Sequence, residues 1–224
     1  MLEEMFRLDS PYPIANLEPR ITGWTGLCNR PAGESPPTYS SRDNYFTRAS
    51  MYGSVLSGAL AGHTHGSLGY DCTTTGEYGG PRGYKSIWES LKVESNSYMQ
   101  HLRTFILSEG ARYQDLELAS MDLQPQKAEG SHPQGLDGWS FMMRTGDKRF
   151  ALLYFEHDAV LPELTNMLPT TPYIFQWFDP VQGIWSAKES LTTDRTGRLK
   201  LPGMPNPETD WAAKLITVPE PDSE

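Results

Sequence analysis

The chain reads as two fold types in series, a helix-bearing α/β part followed by an all-β part. Three observations carry that reading. A short apolar run, Pro13-Ile14-Ala15-Asn16-Leu17, ends at Glu18-Pro19, and a run of small and apolar residues from Ser57 to Gly62 ends at His63-Thr64-His65-Gly66. Between them lie apolar residues at helical spacing, so strand, loop, helix and strand make one βα unit. After about residue 110 the pattern changes to short aromatic and β-branched runs bounded by turn residues, which predicts an antiparallel sandwich. The expected architecture is part of a (β/α)8 barrel, too short to be complete, over residues 1–110 and an antiparallel β-sandwich over residues 111–224.

Taken in order, residues 1–9 read as the end of a helix with Leu2, Met5 and Phe6 on one side, stopped by Asp9-Ser10-Pro11. Glu18 precedes a proline, whose ring disfavours helical backbone in the residue before it, so Glu18 is expected to be extended at a strand tip. A carboxylate there is what a (β/α)8 barrel presents at its C-terminal face, although a solvated glutamate at a turn would have the same local sequence. From Ile21 to Arg42 the chain is rich in Gly, Pro, Ser and Thr and reads as a long loop, with Trp24 and Tyr39 available to cover a ligand. Ser41 or Asp43 can cap the helix that follows, whose buried face is predicted to hold Phe46, Ala49, Tyr52, Val55, Leu56 and Ala59. If the two strands are parallel, the loops after Glu18 and His65 open on the same side.

Residues 66–83 form a second long loop containing Tyr70 and Asp71. Two helical patterns follow. One carries Tyr84, Ile87, Trp88 and Leu91; the other starts near Ser95 or Ser97 and carries Tyr98, Met99, Leu102, Phe105 and Ile106. Both stripes are read as core. The strands predicted beyond them are Trp139–Met143, Phe150–Phe155, Tyr173–Phe178 and Trp211–Val218, punctuated at Asp137-Gly138, Thr145–Asp147, Asp179–Gly183 and Thr196-Gly197.

Bulk properties exclude several classes. The 224 residues carry a net charge of −9 with no basic cluster, the wrong balance for gripping a phosphate backbone. No segment approaches the roughly 20 apolar residues of a membrane-spanning helix. The acidic start, Met1-Leu-Glu-Glu-Met-Phe6, lacks the features of a signal peptide. Cys28 and Cys72 read as two free thiols, since two cysteines make no disulfide framework. No Gly-X-Ser-X-Gly elbow and no glycine-rich phosphate loop occurs. His63-X-His65 offers two same-facing imidazoles, and zinc would need Cys28, Cys72 or Asp71 to complete the set. No metal and no cofactor is assigned.

The order Pro13 to Pro19, Arg42-Asp43, Met51-Tyr52, and Ser57 through His63-Thr64-His65-Gly66 resembles the last two barrel strands of apiosidase-like glycoside hydrolases. Trp88–Leu91 and Tyr98–Arg103 look like the helices that follow. Trp177-Phe178-Asp179-Pro180, Gly183, Pro202 and Asp210-Trp211 resemble the β-sandwich commonly labelled collagen-binding in that family. The resemblance implies that Glu18 is a catalytic nucleophile and that the acid/base carboxylate lies on an earlier strand outside this chain. It also implies a secreted or periplasmic parent. Arg20 and Ile21 stand where the family carries an aromatic and an acidic residue.

Retaining glycoside hydrolysis needs two carboxyl groups about 5–5.5 Å apart, and Glu18 supplies one. Arg20 and the histidines would hold it ionised. Trp24, His63, His65, Tyr70 and Asp71 are the expected substrate contacts, aromatic faces for stacking and polar groups for hydroxyls. The expected partners are a glycan and either the remaining barrel portion or another chain. The alternatives are a non-catalytic carbohydrate- or protein-binding sandwich module and an inactive truncated reading frame.

Overall fold

The computed structural model describes residues 3–4, 14–17, 41–65, 88, 91–131 and 136–218. Glu18, Arg20, Trp24, Cys28, Tyr70, Asp71 and Cys72 lie outside the described residues. So do the Leu2–Met5–Phe6 face and the Tyr84 and Ile87 positions.

The first elements are β1 (Ala15–Asn16), α1 (Ser41–Leu56) and β2 (Gly62–His63). The two strands pair in parallel, Ala15 opposite Gly62 and Asn16 opposite His63, as the βα reading requires. A single turn of 3-10 helix, Glu94–Ser97, leads into α2 (Tyr98–Ile106).

The rest is antiparallel: β3 (Leu116–Leu118), β4 (Leu123–Gln124), β5 (Ser140–Thr145), β6 (Phe150–Phe155), β7 (Glu163–Leu164), β8 (Pro172–Asp179), β9 (Ile184–Trp185), β10 (Glu189–Thr192), β11 (Leu199–Lys200) and β12 (Trp211–Thr217). The large sheet runs β10-β8-β12-β6-β5-β3 with β9 added on β8, and a small sheet runs β11-β7-β4. The four predicted strands are β5, β6, β8 and β12; β6 has the expected bounds and the ends of the others differ by at most two residues.

The run Phe150–Phe155 lacks polar alternation because both faces of β6 are covered. Phe150, Leu152 and Tyr154 join one core cluster, with Tyr52 and Leu56 of α1 and Leu102 and Phe105 of α2. Ala151, Leu153 and Phe155 join the other, with Leu123, Leu164 and Leu199 of the small sheet. The large sheet therefore has helices on one side and the small sheet on the other. Tyr52 stacks on Tyr154 at 4.9 Å, and Phe105 meets Phe178 at 5.5 Å. The first cluster draws residues from both sides of residue 110.

Three expectations are corrected. The helix α1 is not buried on one face only; from Thr47 to Leu56 every residue except Ser50 and Ser54 is buried. It lies between the β1–β2 pair and the large sheet, so two faces are in demand. Ser54 Oγ receives Asn16 Nδ2 at 2.7 Å on one side. On the other, a Cβ on Gly53 would sit 3.4 Å from the Phe141 ring. Phe46 is half-buried on the wall of a surface cleft. Trp88 and Leu91, expected in the core, are exposed, at 60% and 64%. The stripe from Tyr98 to Ile106 does pack, with Tyr98, Leu102, Phe105 and Ile106 buried and Met99 against them.

Candidate functional site

At the end of the parallel pair, backbone pairing and one hydroxyl fix the geometry. The Thr64 amide donates to Asn16 O at 2.9 Å, and Thr64 Oγ1 donates to Leu17 O at 2.9 Å. Leu17, the residue before Glu18, is thereby tied to the residue between the two histidines. His63 and His65 lie close enough for each to feel the other electrostatically, while Thr64 between them bonds back to the end of the first strand.

Both imidazoles are withdrawn from water. Burial pushes His63 down to about 4, with His65 nearby adding to the effect. Burial also lowers His65, opposed by its hydrogen bond to Asn96. Both rings are therefore neutral near pH 7. The Nε2 of His65 lies 3.0 Å from Asn96 Oδ1. The Nδ1 atoms of both rings are buried without a hydrogen-bond partner. Neutral imidazoles with a free ring nitrogen can accept from or donate to ligand hydroxyls.

Asn96 escaped the sequence reading. Ser95-Asn96-Ser97 looks like ordinary capping residues, and a contact across 31 positions leaves no local trace. The same 3-10 turn anchors the site to the sheet. Asn44 Nδ2 donates to Glu94 Oε2 at 2.9 Å, and Tyr98 also bonds Glu94. Arg48 Nη1 donates to the Tyr98 hydroxyl at 2.9 Å, and Arg48 Nη2 and Nε grip Asp210 at 2.6 and 3.0 Å. The Tyr154 hydroxyl donates to the same carboxylate at 2.9 Å. This buried chain joins α1, α2, β6 and the start of β12.

A cleft of about 450 Å³ opens elsewhere, at the junction of α1 with the turns flanking β5 and β6. Among the described residues Tyr45, Phe46, Asp137, His157, Asp158 and Glu208 line it, and His63 and His65 do not. His157 Nδ1 meets Asp158 Oδ2 at 2.9 Å. Nearby Glu156 is pushed up to about 8, chiefly by burial, while the Trp139 amide that donates to it at 3.1 Å pulls the other way. Aromatic faces beside acceptor-rich carboxylates suit a donor-rich ligand such as a sugar.

Among the described residues, no group of three or more His, Cys, Asp or Glu is placed to hold a metal ion. Cys28, Cys72 and Asp71, the residues expected to complete a zinc set with His63 and His65, lie outside the described residues. No described helix is long and apolar enough to cross a membrane.

No protein-family model matches the chain, and no curated protein matches it. Solved structures do. One described as a glycoside hydrolase superposes with a TM-score of 0.70 at 15% identity, over 96% of this chain and 44% of that one. A glycoside hydrolase family 5 protein from Bacteroides vulgatus ATCC 8482 superposes at 0.59 and 14% identity, over 77% of this chain and 36% of that one. The chain spans less than half the length of either. It has the fold of part of a glycoside hydrolase, and identity this low carries the fold alone.

Proposed function

We propose that this chain is the C-terminal part of a glycoside hydrolase of the apiosidase-like kind, the end of a (β/α)8 barrel over residues 1–110 joined to a β-sandwich over residues 111–224. Its reaction is hydrolysis of an O-glycosidic bond in a complex, plant-type glycan, with Glu18 as nucleophile and the acid/base carboxylate on an earlier strand outside the chain. The observation that supports this most is the parallel pairing of β1 with β2, which sets Asn16 beside His63 and ties Leu17 to Thr64. On this reading Glu18, the next residue in sequence after Leu17, shares a mouth with the two neutral imidazoles. His63 and His65, with Trp24, Tyr70 and Asp71, hold sugar hydroxyls and faces while Glu18 attacks the anomeric carbon.

A second reading is favoured by the cleft at Tyr45, Phe46 and Asp137: a module that binds polysaccharide without cleaving it. One experiment separates the two. The purified chain, alone and with the remaining barrel portion supplied, is assayed on a panel of aryl glycosides and on polysaccharide columns. Turnover removed by Glu18→Gln supports the hydrolase. Absence of turnover, with column retention that survives Glu18→Gln and is lost in Phe46→Ala, supports the module and ends the hydrolase reading.

A further inference from the structure

Asn96 and the orphan nitrogens of the histidine pair have a consequence that the hydrolase reading does not include. An amide oxygen only accepts hydrogen bonds, so at 3.0 Å from Asn96 Oδ1 the Nε2 of His65 carries the proton. In a neutral ring the other nitrogen, Nδ1, then holds a bare lone pair. That atom is buried and has no hydrogen-bond partner, and the Nδ1 of His63, a residue only 9% exposed, is likewise buried and unpartnered. Buried polar groups are nearly always paired, and leaving one unpaired is costly. Two such atoms two residues apart at the end of β2, beside a proposed substrate mouth, point to a ligand that supplies the missing donors.

We propose that Asn96 is a positioning residue: it locks His65 as the Nε2–H tautomer and so presents Nδ1 as an acceptor for a hydroxyl of a neutral glycan. The inference rests on the glycan reading above for the identity of the donor, though not for the tautomer. The same tautomer would suit a metal-bound imidazole, but no third ligand is grouped with the pair among the described residues. Glu94, Ser95 and Ser97 share the turn with Asn96. The turn is braced by the Asn44–Glu94 bond and by Ser97 Oγ donating to Glu94 O at 2.7 Å, so the amide oxygen of Asn96 is held on a stiff support.

The test is NMR of the chain carrying 15N-labelled histidine, with long-range couplings assigning the proton on each ring near pH 7. The expected result is a protonated Nε2 and an unprotonated Nδ1 for His65, with loss of that single tautomer in Asn96→Ala. Addition of xylotriose or cellotriose should move the Nδ1 resonance, and Asn96→Ala should weaken that binding about tenfold, the worth of one hydrogen bond. An Nδ1–H tautomer in the unaltered chain overturns the proposal without any variant. An unchanged tautomer in a folded Asn96→Ala chain does so as well. If the tautomer is as expected and neither sugar moves Nδ1, the glycan reading fails and the Asn96–His65 positioning stands.

Discussion

The Arg48–Asp210 pair shows what single residues contribute here. Asp210 is fully buried, and its two oxygens receive Arg48 Nε, Arg48 Nη2 and the Tyr154 hydroxyl. Charges in such a place are tolerated only when paired, and removing one partner strands the other. Asp210→Asn is therefore expected to lose about 3–5 kcal/mol of unfolding free energy in a urea titration. A loss below about 1 kcal/mol would mean that the carboxylate is solvated after all.

Glu156 makes the corresponding pH argument. Its ordinary value of 4.5 is pushed up to about 8 by burial and by Asp137 and Asp210, against the pull of the Trp139 amide. Between those values the folded chain keeps a proton that the unfolded chain has released, so this group makes stability fall as pH rises through the window. His63 works the other way. Its ordinary value of 6.5 falls to about 4 in the fold, so the unfolded chain takes up a proton first and stability falls as pH drops from 6.5 toward 4. From pH 6.5 to 8 only Glu156 of the two acts, and thermal melts should show a decline on the order of 2 kcal/mol that Glu156→Gln abolishes. A decline unchanged in Glu156→Gln would assign it elsewhere. Neither group was visible in the sequence as a buried titrating residue. Glu156 simply follows the run Phe150–Phe155, and the groups that act on it, Trp139 and Asp210, are distant along the chain.

The helix α1 is where elements meet. It serves two neighbours at once, the parallel pair through Ser54 and the large sheet through Gly53 and Tyr52. The spacing of its apolar residues announced a helix, but not that both sides would be occupied; Gly53 and Ser54 were the small residues that could have said so. Gly53→Leu should push α1 off Phe141 and lower stability by about 1–3 kcal/mol in a denaturant titration, whereas Gly53→Ala, at 3.4 Å from that ring, should be close to neutral. Equal losses in both would mean that backbone flexibility at Gly53, not room, matters. Among the strands, β5, β6, β8 and β12 were legible because each is long enough to show an aromatic or β-branched run. Two-residue strands such as β4, β7 and β11 have no period to read. They exist because Leu123, Leu164 and Leu199 cover one face of the large sheet.

At the scale of the whole molecule, one cluster of buried residues joins Tyr52, Leu102 and Phe105 to Leu152, Tyr154 and Phe178. The proposed division near residue 110 would thus separate two fold types that share a core. The described residues should unfold together, with near-UV and far-UV signals coincident in urea. Two resolved transitions would show that the halves are independent. The change from helices to antiparallel strands was readable from turn punctuation and aromatic runs. The shared core was not, because helices that pack on a sheet from one side have the same amphipathic pattern as helices packing on a barrel. The candidate site was half legible. His-X-His at a strand end was plain, and its parallel neighbour followed from the βα pattern, while Asn96 and Asn44 depend on contacts that only folding creates.

The central claim is that the parallel β1–β2 pair delivers Glu18 and the histidines to one mouth. A crystal structure of the chain measures this directly. The account predicts the Glu18 carboxylate on the same side as His63 and His65, within hydrogen-bonding reach of an imidazole directly or through one water. A Glu18 side chain directed away from both rings, toward the opposite side of the strand pair, would contradict it.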